Sequence, residues 1–181
     1  MGDNQTRQSR EADGSRPPAP PPSRLDYHEV APDGFAAMLG LERYVRGSGL
    51  PHGLLELVKV RASQINGCAY CLDMHTKDAR AAGETEQRLY AVAAWHEAPF
   101  FTLSERAALA WTEAVTRVGE SRVPDDLYEE VRRHFDGKEL VDLTAAASDR
   151  GLDTLIEIHS WTELEPALKA KCDLSKWPRE E

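Results

Sequence analysis

Residues 56–75 read ELVKVRASQINGCAYCLDMH, and the spacing within them decides how the rest of the chain is understood. A carboxylate, two thiols and an imidazole follow one another as E-x11-C-x2-C-x3-H. Two cysteines separated by two residues, Cys68 and Cys71, can close a small disulfide ring or share a metal ion. A helix running from Gly67 places Cys68, Cys71 and His75 at i, i+3 and i+7, along one face. Cys68 then stands near the helix N-terminus, where unpaired N–H groups and the macrodipole favour a thiolate. His75, one turn beyond Cys71, can accept or return a proton. Glu56 belongs to the preceding helix, and a return through the QING turn brings its carboxylate alongside. The constellation is that of a redox site.

Outward from this stretch the pattern is helical in both directions. From Asp33 onward, Phe35, Met38, Leu41 and Val45 mark one apolar face, and the GSG at 47–49 ends the element. Pro51 opens the next helix, where its missing N–H costs nothing. Leu54, Leu57, Val58 and Ile65 give that helix its apolar stripe, with Glu56 off the line. Gly83 stops the cysteine helix. Thr85 starts a short helix through Tyr90 and Ala94, and Pro99 breaks the chain. Thr102 and Glu105 form a T-x-x-E capping box for a helix that buries Ala107, Trp111, Ala114, Val115 and Val118. Pro124 starts another through Tyr128 and Val131, and Gly137 separates it from LVDLTAAA. No strand alternation is present, so the fold class is all-α. The domain spans 25–148. Before it, residues 1–24 carry RPPAPPPSR after a polar stretch and read as a disordered, Pro-rich tail. After it, residues 149–181 form a short-jointed segment punctuated by Pro166 and Pro178.

Composition narrows the function. The 181 residues suit one domain with a real core. Twenty-two basic against 31 acidic residues leave a net charge of −9 without a basic stripe, which argues against nucleic acid as a partner. The opening MGDNQTRQSR has no apolar core of a signal peptide, and no run approaches the ~18 apolar residues that span a bilayer, so no membrane is expected. Three cysteines, two of them in CxxC, suit a reducing compartment and a catalytic pair; the cytoplasm is the expected location.

The full spaced motif, with its flanks RASQINGCAYCLDMHTKDARAAGETEQRLY and HEAPFFTLSERAALAWTEA, resembles the carboxymuconolactone decarboxylase superfamily in its AhpD-like alkylhydroperoxidase branch. The resemblance runs from about Leu25 to about Ala147 and implies a compact multi-helix domain with CxxC at the start of a central helix. It implies a peroxidase acting on hydrogen peroxide or organic hydroperoxides, re-reduced by a dithiol of the lipoyl or another protein type, in a homo-oligomer. It also implies that Cys71 becomes the sulfenic acid and Cys68 resolves it, whereas the helix-terminus argument favours Cys68 as the attacking thiol. Some members carry a histidine directly before the second cysteine; here that place is Tyr70. The chain also departs from related proteins after LVDLT, where SDRGLDTLIEIHSWTELEP replaces a long apolar helix.

The chemistry asks for these residue types. A thiolate attacks the distal oxygen of ROOH to give a sulfenic acid, and a second thiol condenses with it to a disulfide. Glu56 and His75 supply the general acid/base pair for the thiol and the departing alkoxide. Neither a cofactor nor a metal is expected. A structural zinc site through Cys68, Cys71 and His75 is the competing use, but C-x2-C-x3-H on one helix is unlike loop-borne zinc knuckles, and no second cysteine pair exists. Lactone decarboxylation is disfavoured because that branch does not use CxxC. A non-catalytic redox sensor or a general dithiol–disulfide oxidoreductase would use the same pair. Trp95 and His96 either border the pocket or form an aromatic core corner, and Trp111 belongs to the core. His28, His52, His134 and His159 receive no role, and Asp73, Lys77 and Asp78 read as a solvated charged face.

Overall fold

The computed structural model describes residues 25–120 and 122–148. The segments expected over 1–24 and 149–181, with His159 and Cys172, lie outside the described residues. Among the described residues every regular element is helical: α1 Tyr27–Val30, α2 Pro32–Arg46, α3 His52–Asn66, α4 Ala69–Ala81, α5 Glu86–Ala91 continued by a 3-10 turn Val92–Ala94, α6 Leu103–Thr116, α7 Asp125–Arg132 and α8 Gly137–Ala147. No strand occurs among them.

The helices begin and end where side chains satisfy their terminal backbone groups. Asp26 caps α1 by accepting the N–H groups of His28 at 2.9 Å and Glu29 at 3.2 Å. Thr85 caps α5 through the Arg88 N–H at 3.3 Å. Thr102 and Glu105 form the expected reciprocal box at the start of α6. A second box, Asp136 with Glu139, opens α8. Gly137 therefore starts that helix rather than separating it from the one before, because the Asp136 side chain has already turned the chain into it. Pro51 likewise stands just outside α3 as its cap residue.

The apolar stripe expected on α3 is a correction. Residues Leu54 to Val60 are buried without interruption, Glu56 and Lys59 included, while Ile65 is only partly covered. A helix buried all round has neighbours on every side. Here α4, α6, α8 and the 3-10 turn surround α3. One side of it enters a cluster with Val45, Ala108, Trp111, Val131 and Leu143. The other enters a cluster with Ala79, Leu89, Val92, Trp95 and Leu109. Leu41 and Val118, expected to be buried, are exposed, and Val118 lies beyond the last residue of α6.

Helix α2 is fastened to α8 by a polar anchor. The Tyr44 hydroxyl donates to Asp142 Oδ1 at 2.7 Å, and Lys138 Nζ donates to Asp142 Oδ2 at 2.6 Å. The first half of α2, together with α1, extends over the start of α4 and carries a third apolar cluster there.

Two glycines test the backbone logic. Gly67, at φ +70°, has the left-handed conformation that an L side chain resists, and a Cβ there meets no atom within 4 Å. Gly67→Ala is expected to lose about 1–2 kcal/mol in urea unfolding from backbone conformation alone. Gly53, inside α3 and equally uncrowded, is expected to gain roughly 0.5–1 kcal/mol as Gly53→Ala.

Candidate active site

The joint between α3 and α4 is a single tight turn. With Gly67 left-handed, its N–H reaches the Gln64 carbonyl at 3.4 Å and the Cys68 N–H reaches the Ser63 carbonyl at 3.2 Å. These are the paired bonds of a Schellman motif, which closes the C-terminus of α3. Cys68 then serves at once as the N-cap of α4, its Sγ accepting the Cys71 N–H at 3.3 Å. Cys68 and Cys71 are joined as a disulfide, with Cα atoms 5.4 Å apart.

Both sulfurs are enclosed, Cys68 being 3% and Cys71 0% exposed. Tyr27 and Phe35 lie over them, with Met38, Leu39 and Tyr70 packed alongside. The Tyr27 and Phe35 ring centroids are 5.0 Å apart, and His28 meets Phe35 edge-on at 4.1 Å. Burial, with the Asp26 charge adding to it, pushes the Tyr27 hydroxyl up to about 12. Tyr27 is therefore an uncharged phenol through the neutral range.

His75 follows Cys71 by one turn of α4, on the same buried face. Its Nδ1 lies 3.1 Å from Glu56 Oε2, and the two residues are 3% and 1% exposed. Burial pushes the Glu56 carboxyl up. The hydrogen bond and charge of His75, with the charges of Lys59 and Arg46, outweigh it and hold the group below the usual carboxylate range. An ionised carboxylate only accepts, so His75 Nδ1–H is the donor. The expectation that the QING turn returns Glu56 to the cysteine helix is met by this contact.

Four residues that the spacing did not single out, Glu42, Arg46, Lys59 and Asp78, complete the environment. Lys59, one turn from Glu56 on α3 and 2% exposed, donates to Glu42. Arg46 Nε donates to Glu42 Oε1 at 2.6 Å, and its Nη2 lies 3.7 Å from Asp78 Oδ2. Asp78 was expected on a solvated face with Asp73 and Lys77. Those two do form an exposed pair at 2.5 Å, but Asp78 turns inward. Burial and then the Glu56 charge push its carboxyl up, against the lowering effect of Arg46, His75 and Lys59. A readable signal existed: Lys59 is a lone charge in the apolar run LVKV, and Glu42 and Arg46 are an i,i+4 pair.

The ligand atoms of Glu56, His75 and Asp78 lie within 4.8 Å of one another, close enough for a metal ion. Arg46 and Lys59 face the two carboxylates of this group and supply positive charge to them. Trp95 belongs to the core rather than to a border of the cysteine cluster, and His96, its ring centroid 3.5 Å from that of Trp95, is exposed. Trp95 packs with Leu57, Val60 and Leu109, and its Nε1 donates to Glu113 at 2.8 Å. Trp111 is core as expected, its Nε1 donating to Thr144 at 3.0 Å. On the outer side of α4 a surface depression of about 470 Å³ is lined by residues that include Gln64, Leu72, Thr76 and Tyr90.

Comparison with known proteins places this geometry. Residues 31–114 match the model of the carboxymuconolactone decarboxylase family. The uncharacterised protein YdfG of Bacillus subtilis (strain 168) is 43% identical over 145 residues, covering 80% of this chain and 93% of YdfG. The crystal structure of ATU0492 from Agrobacterium tumefaciens, proposed to be the antioxidant defence protein AhpD, superposes with a TM-score of 0.68 at 39% identity, covering 87% of this chain and 99% of the other. The debrominase Bmp8 superposes with a TM-score of 0.63 at 21% identity over 70% of this chain and 69% of its own, a likeness of fold alone.

The two inward carboxyls respond to pH with opposite signs. Glu56, held below its ordinary 4.5, adds stability that is present above that value and lost as pH falls through its lower folded value. Asp78, raised from 3.8, favours the folded state below that value and loses this contribution as pH rises through its higher folded value. In urea unfolding across pH 3 to 7 (a range of about four units, chosen to bracket the carboxylates), Glu56→Gln should fall progressively further below wild type as pH rises. Asp78→Asn should gain on wild type over the same range. Parallel curves for both variants would remove the electrostatic account.

Proposed function

Because the chain belongs to the carboxymuconolactone decarboxylase family, in its AhpD-like branch, we propose that it is a thiol-dependent peroxidase reducing hydrogen peroxide or organic hydroperoxides. The observation that carries this reading is a disulfide-forming pair one helical turn from an imidazole whose other partner is a buried, ionised carboxylate. Cys71 as thiolate attacks the distal oxygen of ROOH; the O–O bond breaks, and the sulfenic acid and RO⁻ form. His75 gives RO⁻ its proton, and Glu56 stabilises the charged imidazole and orients it. Cys68 then attacks the Cys71 sulfenic sulfur, expelling water and leaving the disulfide. A dithiol returns two electrons to restore both thiols. Both sulfurs lie beneath aromatic side chains, which favours a slender reductant such as a lipoyl-type arm. A reducing cytoplasm would keep such a dithiol supplied, and assembly is proposed as a homo-oligomer. Among the described residues no helix is long and apolar enough to cross a membrane.

The depth of the disulfide favours one second reading, a thiol redox sensor or dithiol–disulfide oxidoreductase in which the same bond forms without peroxide turnover. Stoichiometry separates the two. A sensor consumes one peroxide per molecule, and a peroxidase consumes excess peroxide while dithiol lasts.

Intact mass of the reduced protein after cumene hydroperoxide should show the loss of two hydrogens, mapping to Cys68–Cys71. Cys68→Ser should leave a sulfenic acid on Cys71 that dimedone traps, and Cys71→Ser should stay reduced; the mirror result would exchange the two roles. With dithiol supplied, His75→Gln and Glu56→Gln should each lower turnover by about 10²–10⁴-fold, the scale of general acid–base catalysis. Thiols that remain reduced under peroxide would end the redox reading. In sedimentation, a single species heavier than the 20.2 kDa chain is expected.

A further inference from the structure

Reducing a disulfide adds two electrons and two protons to it. The dithiol that supplies the electrons is a nucleophile only as its thiolate, so it sheds its protons into bulk water. The two thiols formed here lie where water scarcely reaches, with Cys68, Cys71, His75 and Glu56 all 3% exposed or less. Protons must therefore enter by way of side chains.

Only certain groups around Glu56 can carry them. From α2 it is faced by Arg46, from α3 by His52 and Lys59, and from α4 by His75 and Asp78. Arg46 and Lys59 are buried cations engaged with Glu42. Asp78 is turned toward Arg46. His52 differs from all of these. It is the first residue of α3, its side chain is 44% exposed, and its Nε2 stands 3.7 Å from Glu56 Oε1. The other oxygen of the same carboxylate, Oε2, holds His75. One buried carboxylate thus bridges a wet imidazole and a dry one. The spacing of four residues on one helix sets the first link, and the α3–α4 packing sets the second.

We propose that His52 is the proton inlet of the site, passing protons from solvent through Glu56 to His75 and from there to the thiolate released at Cys71. The step balances from the Nε2–H tautomer of His75 with a proton on Glu56 that His52 has supplied from water: His75 gives its Nε2 proton to the sulfur as its Nδ1 takes the one on Glu56, leaving Nδ1–H donating to an ionised Glu56 as in the structure, with no change in oxidation state outside the disulfide and its dithiol. A rotation of the exposed imidazole, or one intervening water, closes the 3.7 Å gap. Imidazole suits the task because one ring nitrogen can take up a proton while the other gives one away.

The inlet rests on the proposed redox chemistry but can be measured without it. In ¹⁵N-labelled protein, magnetisation transfer from water reads the exchange of the His75 Nδ1 proton. His52→Ala should slow that exchange by about tenfold, and free imidazole added to the variant should restore it, as one general acid–base group replacing another. His52→Gln, which keeps a polar side chain but carries no exchangeable charge, should behave like His52→Ala. Unchanged exchange in either variant, or slowing that imidazole does not reverse, would overturn the proposal. Because peroxide is absent from this experiment, a wild type inert to cumene hydroperoxide would overturn the peroxidase reading while the exchange rates still judge the inlet.

Discussion

The contact between Glu56 and His75 is the constraint to which the surrounding structure answers. An ionised carboxylate taken out of water is costly unless charge and hydrogen bonds replace its hydration. Three helices contribute to that replacement. Helix α4 supplies His75, α3 supplies Lys59, and α2 supplies Arg46 together with Glu42, which engages both cations. With both cations and all three carboxylates charged, the group carries one excess negative charge, which a single proton neutralises. The rise of the Asp78 carboxyl is one way of meeting that need. The site is consequently tuned by its own interior rather than by solvent.

The sulfur pair sits under a different kind of protection. Tyr27 and Phe35 come from the N-terminal helices, and the cover they form is apolar and aromatic. Helix α2 is held at its far end by Tyr44 on Asp142 and continues forward to this cover. One helix therefore delivers Arg46, one of the two cations that settle Glu56, and Phe35, a ring that closes over the cysteines. Chemistry and enclosure depend on the same fifteen residues of α2. The likeness to a debrominase is one of fold alone, so the reaction must be argued from the side chains.

Most of the fold was legible in the sequence because local signals agree with one another. The Thr102–Glu105 box, Thr85 and Gly83 each mark a boundary by a hydrogen-bonding requirement that the chain carries within a few residues. The redox motif was legible for the same reason: Cys68, Cys71 and His75 share one helix, whose geometry sets their relative positions. Glu56 could be placed beside them because the turn at Gly67 is local too. What escaped was everything decided by neighbours distant in sequence. Periodicity assigned α3 a stripe, yet its environment is complete on all sides, and only tertiary packing makes Lys59 an interior residue. Asp78 looked solvated because its partner Arg46 is 32 positions away (78 minus 46). His52 drew no notice because its partner is significant only once Glu56 is known to be buried.

The turn at Gly67 has one more consequence. Since Cys68 ends one helix's closing motif and begins the next helix's cap, there is no slack between the two rods. The eleven residues between Glu56 and Cys68 act as a ruler that sets rotational phase as well as distance. A helix advances about 100° and 1.5 Å per residue. One residue added or removed within α3 would therefore swing Glu56 most of a right angle or more out of line with His75, leaving every residue of the motif present and the motif broken. Length variation in such a chain has to find its room elsewhere, in the loops beyond the two helices, because the spacing of the motif is a mechanical coupling.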